Sequence, residues 1–227
     1  MKFGRKSSTS TPAEAPAGAL EEQSQPPAGP IGPFDADEVG DDGVQRVDLG
    51  SLLIAPVPGT ELRIQVDERS KKVQAVIMAG AQGALELRAF SAPRNGDLWS
   101  EIRPQLAADM ARRGGTATER DGRFGPELVC ELSVKAPDGR TGQQASRIVG
   151  INGSRWMVRA TFLGQPAVDP EQAQAWEDAL TQIVVRRGEQ AMPVGDPLPI
   201  TLPEEARRVD RAATPGAPAA PAPPQEA

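Results

Sequence analysis

Nothing inside this 227-residue chain can staple it, because histidine is absent and cysteine occurs once, at Cys130. A single thiol closes no disulfide, and without histidine the Cys/His zinc sites are out of reach. The fold must therefore be held by apolar burial and hydrogen bonding. Catalysis is narrowed by the same absences. There is no proton shuttle near neutral pH and no His-activated nucleophile, and tyrosine is missing as well. Paired carboxylates are the acid/base chemistry that remains.

Proline and alanine mark out the domain. Pro12, Pro16, Pro26, Pro27, Pro30 and Pro33 crowd one end, and Pro215, Pro218, Pro221, Pro223 and Pro224 the other. Both ends are poor in large apolar residues, so they bury too little surface to offset their ordering entropy. The expected organisation is a disordered tail over 1–31, an acidic segment over 32–43, one domain over 44–203 and a second disordered tail over 204–227. The net charge of −6 and pI near 4.9 argue against a duplex nucleic-acid binder. Met1-Lys2-Phe3-Gly4-Arg5-Lys6 has no apolar run behind it to make a secretory signal, and no stretch reaches the ~18 apolar residues of a membrane span. With one thiol and no export signal, the expected compartment is the cytoplasm.

Within the domain, Leu62, Ile64 and Val66 alternate with Arg63, Gln65 and Asp67, the mark of a strand with one wet face. Val73–Ala79 and the run through Leu85, Leu87 and Ala89 extend this into a three-strand meander. Val47, Leu49 and Leu52-Leu53-Ile54 precede it as a further apolar stretch. Asp97 is placed to cap a helix over Asp97–Arg113 that carries Trp99, Ile102, Leu106 and Met110 on one face, with Pro104 as a kink. Asp121-Gly122 reads as a tight turn before a strand over Glu127–Lys135. Pro137-Asp138-Gly139 leads to another over Thr141–Ile151, and Asn152-Gly153 signals a two-residue hairpin with positive φ at both positions. Trp156, Val158, Ala160 and Phe162 line its far arm. Asp169-Pro170 then opens a helix expected to run to Arg187 with Ile183 and Val184 in its apolar stripe. The fold class is α+β, an antiparallel sheet of about six or seven strands with two main helices packed on it.

The stretch GPFDADEV, then RVDLGSLLI, PVPG, LWSEI and SRWMVRATFLG, resembles an actinobacterial domain of unknown function. Members of that family are typically encoded near dUTPase, and the resemblance spans about Gly32 to Arg208. It implies no activity, cofactor or catalytic residue. The order of meander, helix, hairpin strands and closing helix is also similar to PsbP-like α/β/α sandwiches, which implies an interaction module rather than an enzyme.

Candidate sites are few. Cys130 shares a face with Leu128, Leu132 and Val134 and reads as a small buried hydrophobe. Gly80-Ala81-Gln82-Gly83 lacks the Lys-Ser/Thr of a phosphate loop and reads as a hairpin turn. Glu127 with Glu131, and Glu101 with Asp109, alternate away from the apolar faces and read as solvated. Asp35, Asp37, Asp41 and Asp42 lack the spacing of a calcium loop. Trp99, Trp156 and Trp176 fall on apolar faces as core pillars. Phe34 among Asp35, Asp37 and Glu38 reads either as an acidic linker or as a docking segment. Arg63, Arg69, Lys71, Lys72 and Arg88 form a candidate basic patch for an acidic partner or for that segment. The partner-docking candidates are therefore Phe34, Asp35, Asp37, Glu38, Arg63 and Arg88, with no catalytic residue, metal or cofactor site. The expected function is a non-catalytic cytosolic protein-interaction module with an unknown protein partner. A small-molecule or lipid-binding domain is the first alternative. A carboxylate-dependent hydrolase linked to nucleotide metabolism is the second.

Overall fold

Alternating side chains turn most of the chain into strand, and the computed structural model describes residues 32–67, 73–135 and 141–201. The meander consists of β4 (Thr60–Val66), β5 (Val73–Gly80) and β6 (Gly83–Ser91), with Ala81-Gln82 turning β5 into β6. Four more strands follow: β7 (Thr116–Gly122), β8 (Gly125–Lys135), β9 (Thr141–Asn152) and β10 (Trp156–Gly164). Together they make one antiparallel sheet of seven strands in the order β4-β5-β6-β10-β9-β8-β7. A second, four-stranded sheet has the order β1-β11-β3-β2, built from β1 (Phe34–Asp35), β2 (Val47–Asp48), β3 (Leu52–Ile54) and β11 (Val184–Val185). The helices are α1 (Leu98–Arg112), α2 (Gln165–Val168) and α3 (Pro170–Thr181). The α+β class and the seven-stranded antiparallel sheet follow the expectation, and the second, four-stranded sheet with its parallel β1–β11 pair adds to it.

The large sheet has a core on each face. On one face Val76, Met78, Leu85, Leu87, Val158, Ala160 and Phe162 pack with Leu52 and Ile54 of the small sheet and Leu180 of α3. On the other face Leu128, Cys130 and Met157 pack under Leu98 and Trp99 of α1. Trp99 lies flat over Gly150, where any Cβ would fall 2.1 Å from its ring. Its indole N–H donates to the Pro126 carbonyl at 2.6 Å. Asp97 caps α1 through the Ser100 amide, and Asn152 ties that cap to β9 by donating to Asp97 Oδ1 at 2.8 Å. α1 continues through Pro104 as one helix.

Several local expectations are corrected. α3 ends at Thr181 rather than Arg187, because the β-branched Val184-Val185 pair leaves the helix to bridge β3 and β1 as β11. Thr116–Gly122 is a strand although its polar sequence signals none, because β8 supplies a pairing edge for all seven residues. The β7–β8 turn therefore falls at Arg123-Phe124, past Asp121-Gly122. Val47–Ile54 is two short strands folded on one another. The hairpin turn falls at Ser154-Arg155, past the expected Asn152-Gly153, since Asn152 pairs with Met157 and Gly153 N donates to the Trp156 carbonyl. Neither Asn152 nor Gly153 is among the positive-φ residues. Asn152 spends its side chain on the α1 cap instead. The tails over 1–31 and beyond 201, and the Glu68-Arg69-Ser70-Lys71 and Pro137-Asp138-Gly139 turns, lie outside the described residues.

Trp156 is the largest fully buried side chain, 2 % exposed, at the start of the central strand. Trp156→Ala is expected to cost about 3–5 kcal/mol of stability by urea denaturation. A loss below about 1 kcal/mol would show that the surrounding side chains close over the vacated space.

Candidate functional site

Two places on the large sheet concentrate charge in a way that hydrophobic packing does not require. The first lies where β8 and β9 meet α3. Glu127 was expected on a wet face, yet it is completely buried. The correction has a simple cause: the sheet is covered on both sides, so the residue opposite an apolar face enters a second core. Gly122, on the neighbouring strand, leaves the room, since a Cβ there would lie 2.4 Å from the Glu127 carboxylate. Arg120 Nε donates to Glu127 Oε1 at 2.7 Å, and Arg147 Nη1 donates to Oε2 at 3.1 Å. Arg147 Nη1 also reaches Glu177 Oε1 of α3 at 2.7 Å, and its guanidinium stacks 4.1 Å from the Phe162 ring centroid. Arg123 closes the rim on Asp178 at 2.6 Å. A cavity of about 240 Å³ adjoins the cluster, lined by Arg120, Glu127, Arg147 and Glu177. Cations and carboxylates balance there, and both Glu127 oxygens are engaged by guanidinium groups. The cluster locks β8 and β9 to α3.

The second place lies on the opposite face, beside α1. That helix packs mainly on β7, β8 and β9 and covers β10 at Met157, while Arg159 and Thr161 further along β10 line a groove at its flank. A groove of about 430 Å³ runs there, with Ile148, Arg159 and Thr161 as its floor and Leu106, Met110, Arg112 and Arg113 as its wall. Ile148, Leu106 and Met110 are half-buried against the α1 core. Arg159 is the odd member. It lies directly opposite Arg88 in the β6–β10 register, and cross-strand like charges repel. Arg88 is neutralised by Glu86 at 2.7 Å, whereas Arg159 makes no ion pair or side-chain hydrogen bond among the described residues. Its guanidinium rests 5.4 Å from the Phe90 ring centroid. Burial pushes its pKa down and the Arg88 charge adds to that, while the nearby Glu86 charge works the other way without reversing it. Arg112 pairs with Asp109, while Arg113 has no such partner among the described residues. The groove thus sets three arginines against one aspartate.

The expected docking residues are scattered. Phe34 and Asp35 form β1, with the Phe34 amide donating to the Ile183 carbonyl, so they extend the small sheet. Asp35 Oδ2 accepts from Ser154 Oγ at 2.6 Å and from the Trp156 indole at 3.0 Å. Asp37 and Glu38 are exposed in the turn that follows. Arg63 pairs with Glu61 on the open face of β4, at the far edge of the sheet from the α1 groove. Arg69, Lys71 and Lys72 lie outside the described residues. Cys130 is buried, and desolvation pushes its thiol pKa up, against a thiolate role. Asp42 pairs with Arg46 at 2.7 Å instead of joining Asp35 and Asp37. Among the described residues no group of three His, Cys, Asp or Glu side chains could hold a metal ion.

Residues 32–209 match a family described as a protein of unknown function, DUF3710. The chain belongs to that family. No curated protein matches the sequence. A solved structure from Bacteroides thetaiotaomicron is similar over 64% of this chain and 52% of its own, at 11% identity and a TM-score of 0.34. The chain thus spans about half the length of that protein, and the likeness carries no functional argument. Among the described residues no helix is long and apolar enough to cross a membrane.

In this DUF3710 chain neither concentration of charge was singled out by sequence reasoning. Arg147 and Arg159 sit in strands whose alternation marks them as polar, but alternation does not say what covers them. Glu127→Ala is expected to lose about 3–5 kcal/mol, because it leaves Arg147 buried against Phe162 with one counter-ion fewer. Urea denaturation measures this, and a loss under about 1 kcal/mol would mean that water reaches the cluster.

Asp35 makes a second, pH-resolved expectation. Burial works to raise its pKa, but the Ser154 and Trp156 hydrogen bonds, the Asp37 amide and Arg155 carry it below the ordinary 3.8. A carboxyl depressed in the folded state contributes stability above its unfolded pKa and loses it as pH falls through the folded value. Asp48 and Asp97 are lowered as well, and the Arg46 side chain holds Asp42 at about 2. Wild-type stability should therefore fall below about pH 4, and Asp35→Asn should fall less steeply over that range. Parallel denaturation curves for the two proteins against pH would remove Asp35 from the account.

Proposed function

We propose that this chain is a non-catalytic binding module that holds an anionic group of its ligand on Arg159, in the groove between α1 and the large sheet. The supporting observation is a half-buried cation that makes no ion pair among the described residues, beside the apolar side chains of Ile148, Leu106 and Met110. Desolvating a charge is costly unless something pairs with it, and a ligand carboxylate or phosphate would do so. Arginine suits the task because its planar fork donates to both oxygens of such a group.

The hydrolase alternative is the weaker reading. The buried carboxylates that converge, Glu127 and Glu177, both bind the same Arg147 nitrogen, and Arg120 engages the other Glu127 oxygen. The similarity of the element order to PsbP-like sandwiches, mostly interaction modules, inclines the reading the same way. The cytosol is the proposed compartment, resting on the single buried thiol.

NMR titration of the full chain with acetate and with inorganic phosphate tests the proposal. Amide shifts should concentrate at Ile148, Arg159 and Thr161 and at Met110 and Arg113 of α1, and Arg159→Gln should abolish them. Absence of localised shifts at these positions would overturn the reading.

A further inference from the structure

The α1 groove combines two chemistries that an inorganic anion or an acidic peptide would not use together. Its cations are Arg159 on the floor and Arg112 and Arg113 at the end of the helix. Leu106, Met110 and Ile148 provide an apolar wall and floor beside them, half-buried and without a further layer among the described residues. Arg112 and Arg113 have a local reason for their place, since cations suit the carbonyl end of a helix. Arg159 has none. It sits mid-strand, opposite Arg88, and the nearest carboxylate, Glu86 across from Thr161, is already paired with Arg88.

We infer that the groove binds a small free amphipathic anion, a carboxylate or phosphate bearing an alkyl or aryl tail. The head is held by Arg159 and Arg113, and the tail lies along Met110, Leu106 and Ile148. This rests on the anion-binding reading and adds the ligand class. The apolar wall accounts for the tail. Methylene burial adds affinity in steps, whereas a bare anion would leave these side chains wet. The cavity's size, about 430 Å³, lies in the range of small-molecule pockets. A single bound chain is therefore favoured over a membrane surface, which would need a broad basic face on a protein whose net charge is −6.

Calorimetric titration of the full chain with n-alkyl carboxylates from acetate to decanoate, below their micelle concentrations, tests this. Each added methylene should tighten binding by up to about fourfold until the tail fills the groove. Arg159→Gln should abolish binding at every length. Met110→Gln should flatten the length dependence while leaving the weak acetate interaction. Arg63→Gln, at the other edge of the sheet, should change nothing. Melting curves confirm that each variant is folded. Acetate binding with no gain along the series overturns the inference and leaves the anion-binding module standing. Absence of binding by any member overturns both. Retention on vesicles of phosphatidylglycerol and phosphatidylcholine, without binding of the free carboxylates, overturns the small-ligand inference in favour of a lipid surface.

Discussion

Strand β10 is the wall that both cores share, and the rest of the molecule is arranged around it. It pairs along its length with β6 and with β9, so its backbone is satisfied on both edges. Trp156, Val158, Ala160 and Phe162 face the small sheet and α3, while Met157 faces α1. Removing one layer would expose the other side of the same strand. Because the chain contains no disulfide or Cys/His metal staple, this two-sided burial carries the stability that such staples give other small domains. The N-terminal acidic segment is drawn into the arrangement by Asp35, whose carboxylate accepts the Trp156 indole N–H from outside the large sheet.

A two-sided sheet changes what a polar side chain on a strand means. In a sheet with one wet face, alternation hands each charged residue to solvent. Here three of them are handed to protein instead, with different outcomes. Glu127 and Arg147 find each other and the half-buried Glu177, forming an ion triad at the edge of the core. Its worth is register: β8, β9 and α3 can meet in only one way that pairs every charge. Arg159 finds no such partner, and the difference follows from coverage. α3 and α2 close over the first cluster, whereas α1 covers β10 at Met157 and leaves the flank at Arg159 and Thr161 open as a groove.

The candidate site was therefore legible only in fragments. Met110 and Leu106 were visible as one helical stripe, and Arg112-Arg113 as a helix end. Nothing in the spacing between residue 110 and residue 159 says that they meet. Conversely, Phe34 and Asp35 stood out in sequence as an aromatic among carboxylates. Their specification turned out to serve a strand pairing with β11 and a hydrogen bond to Trp156. The chain itself uses both residues, and sequence shows that a residue is specified without showing by what.

Local signals determined what local physics governs. Alternation placed β4, β5, β6, β8, β9 and β10, and Asp97 and Asp169 placed the helix starts, because side-chain direction and capping depend on neighbours a few residues away. The missing histidines and lone cysteine fixed the chemistry that the molecule could hold. Tertiary structure decided what depends on distant partners. It made a strand of the polar Thr116–Gly122 by offering it an edge, and took Val184-Val185 from a helix to bridge two strands. It also buried Glu127 and left Arg159 uncompensated. Those two residues look alike in sequence, polar positions in alternating strands. What separates them is which layer lies across the sheet, and that is set by contacts between segments dozens of residues apart.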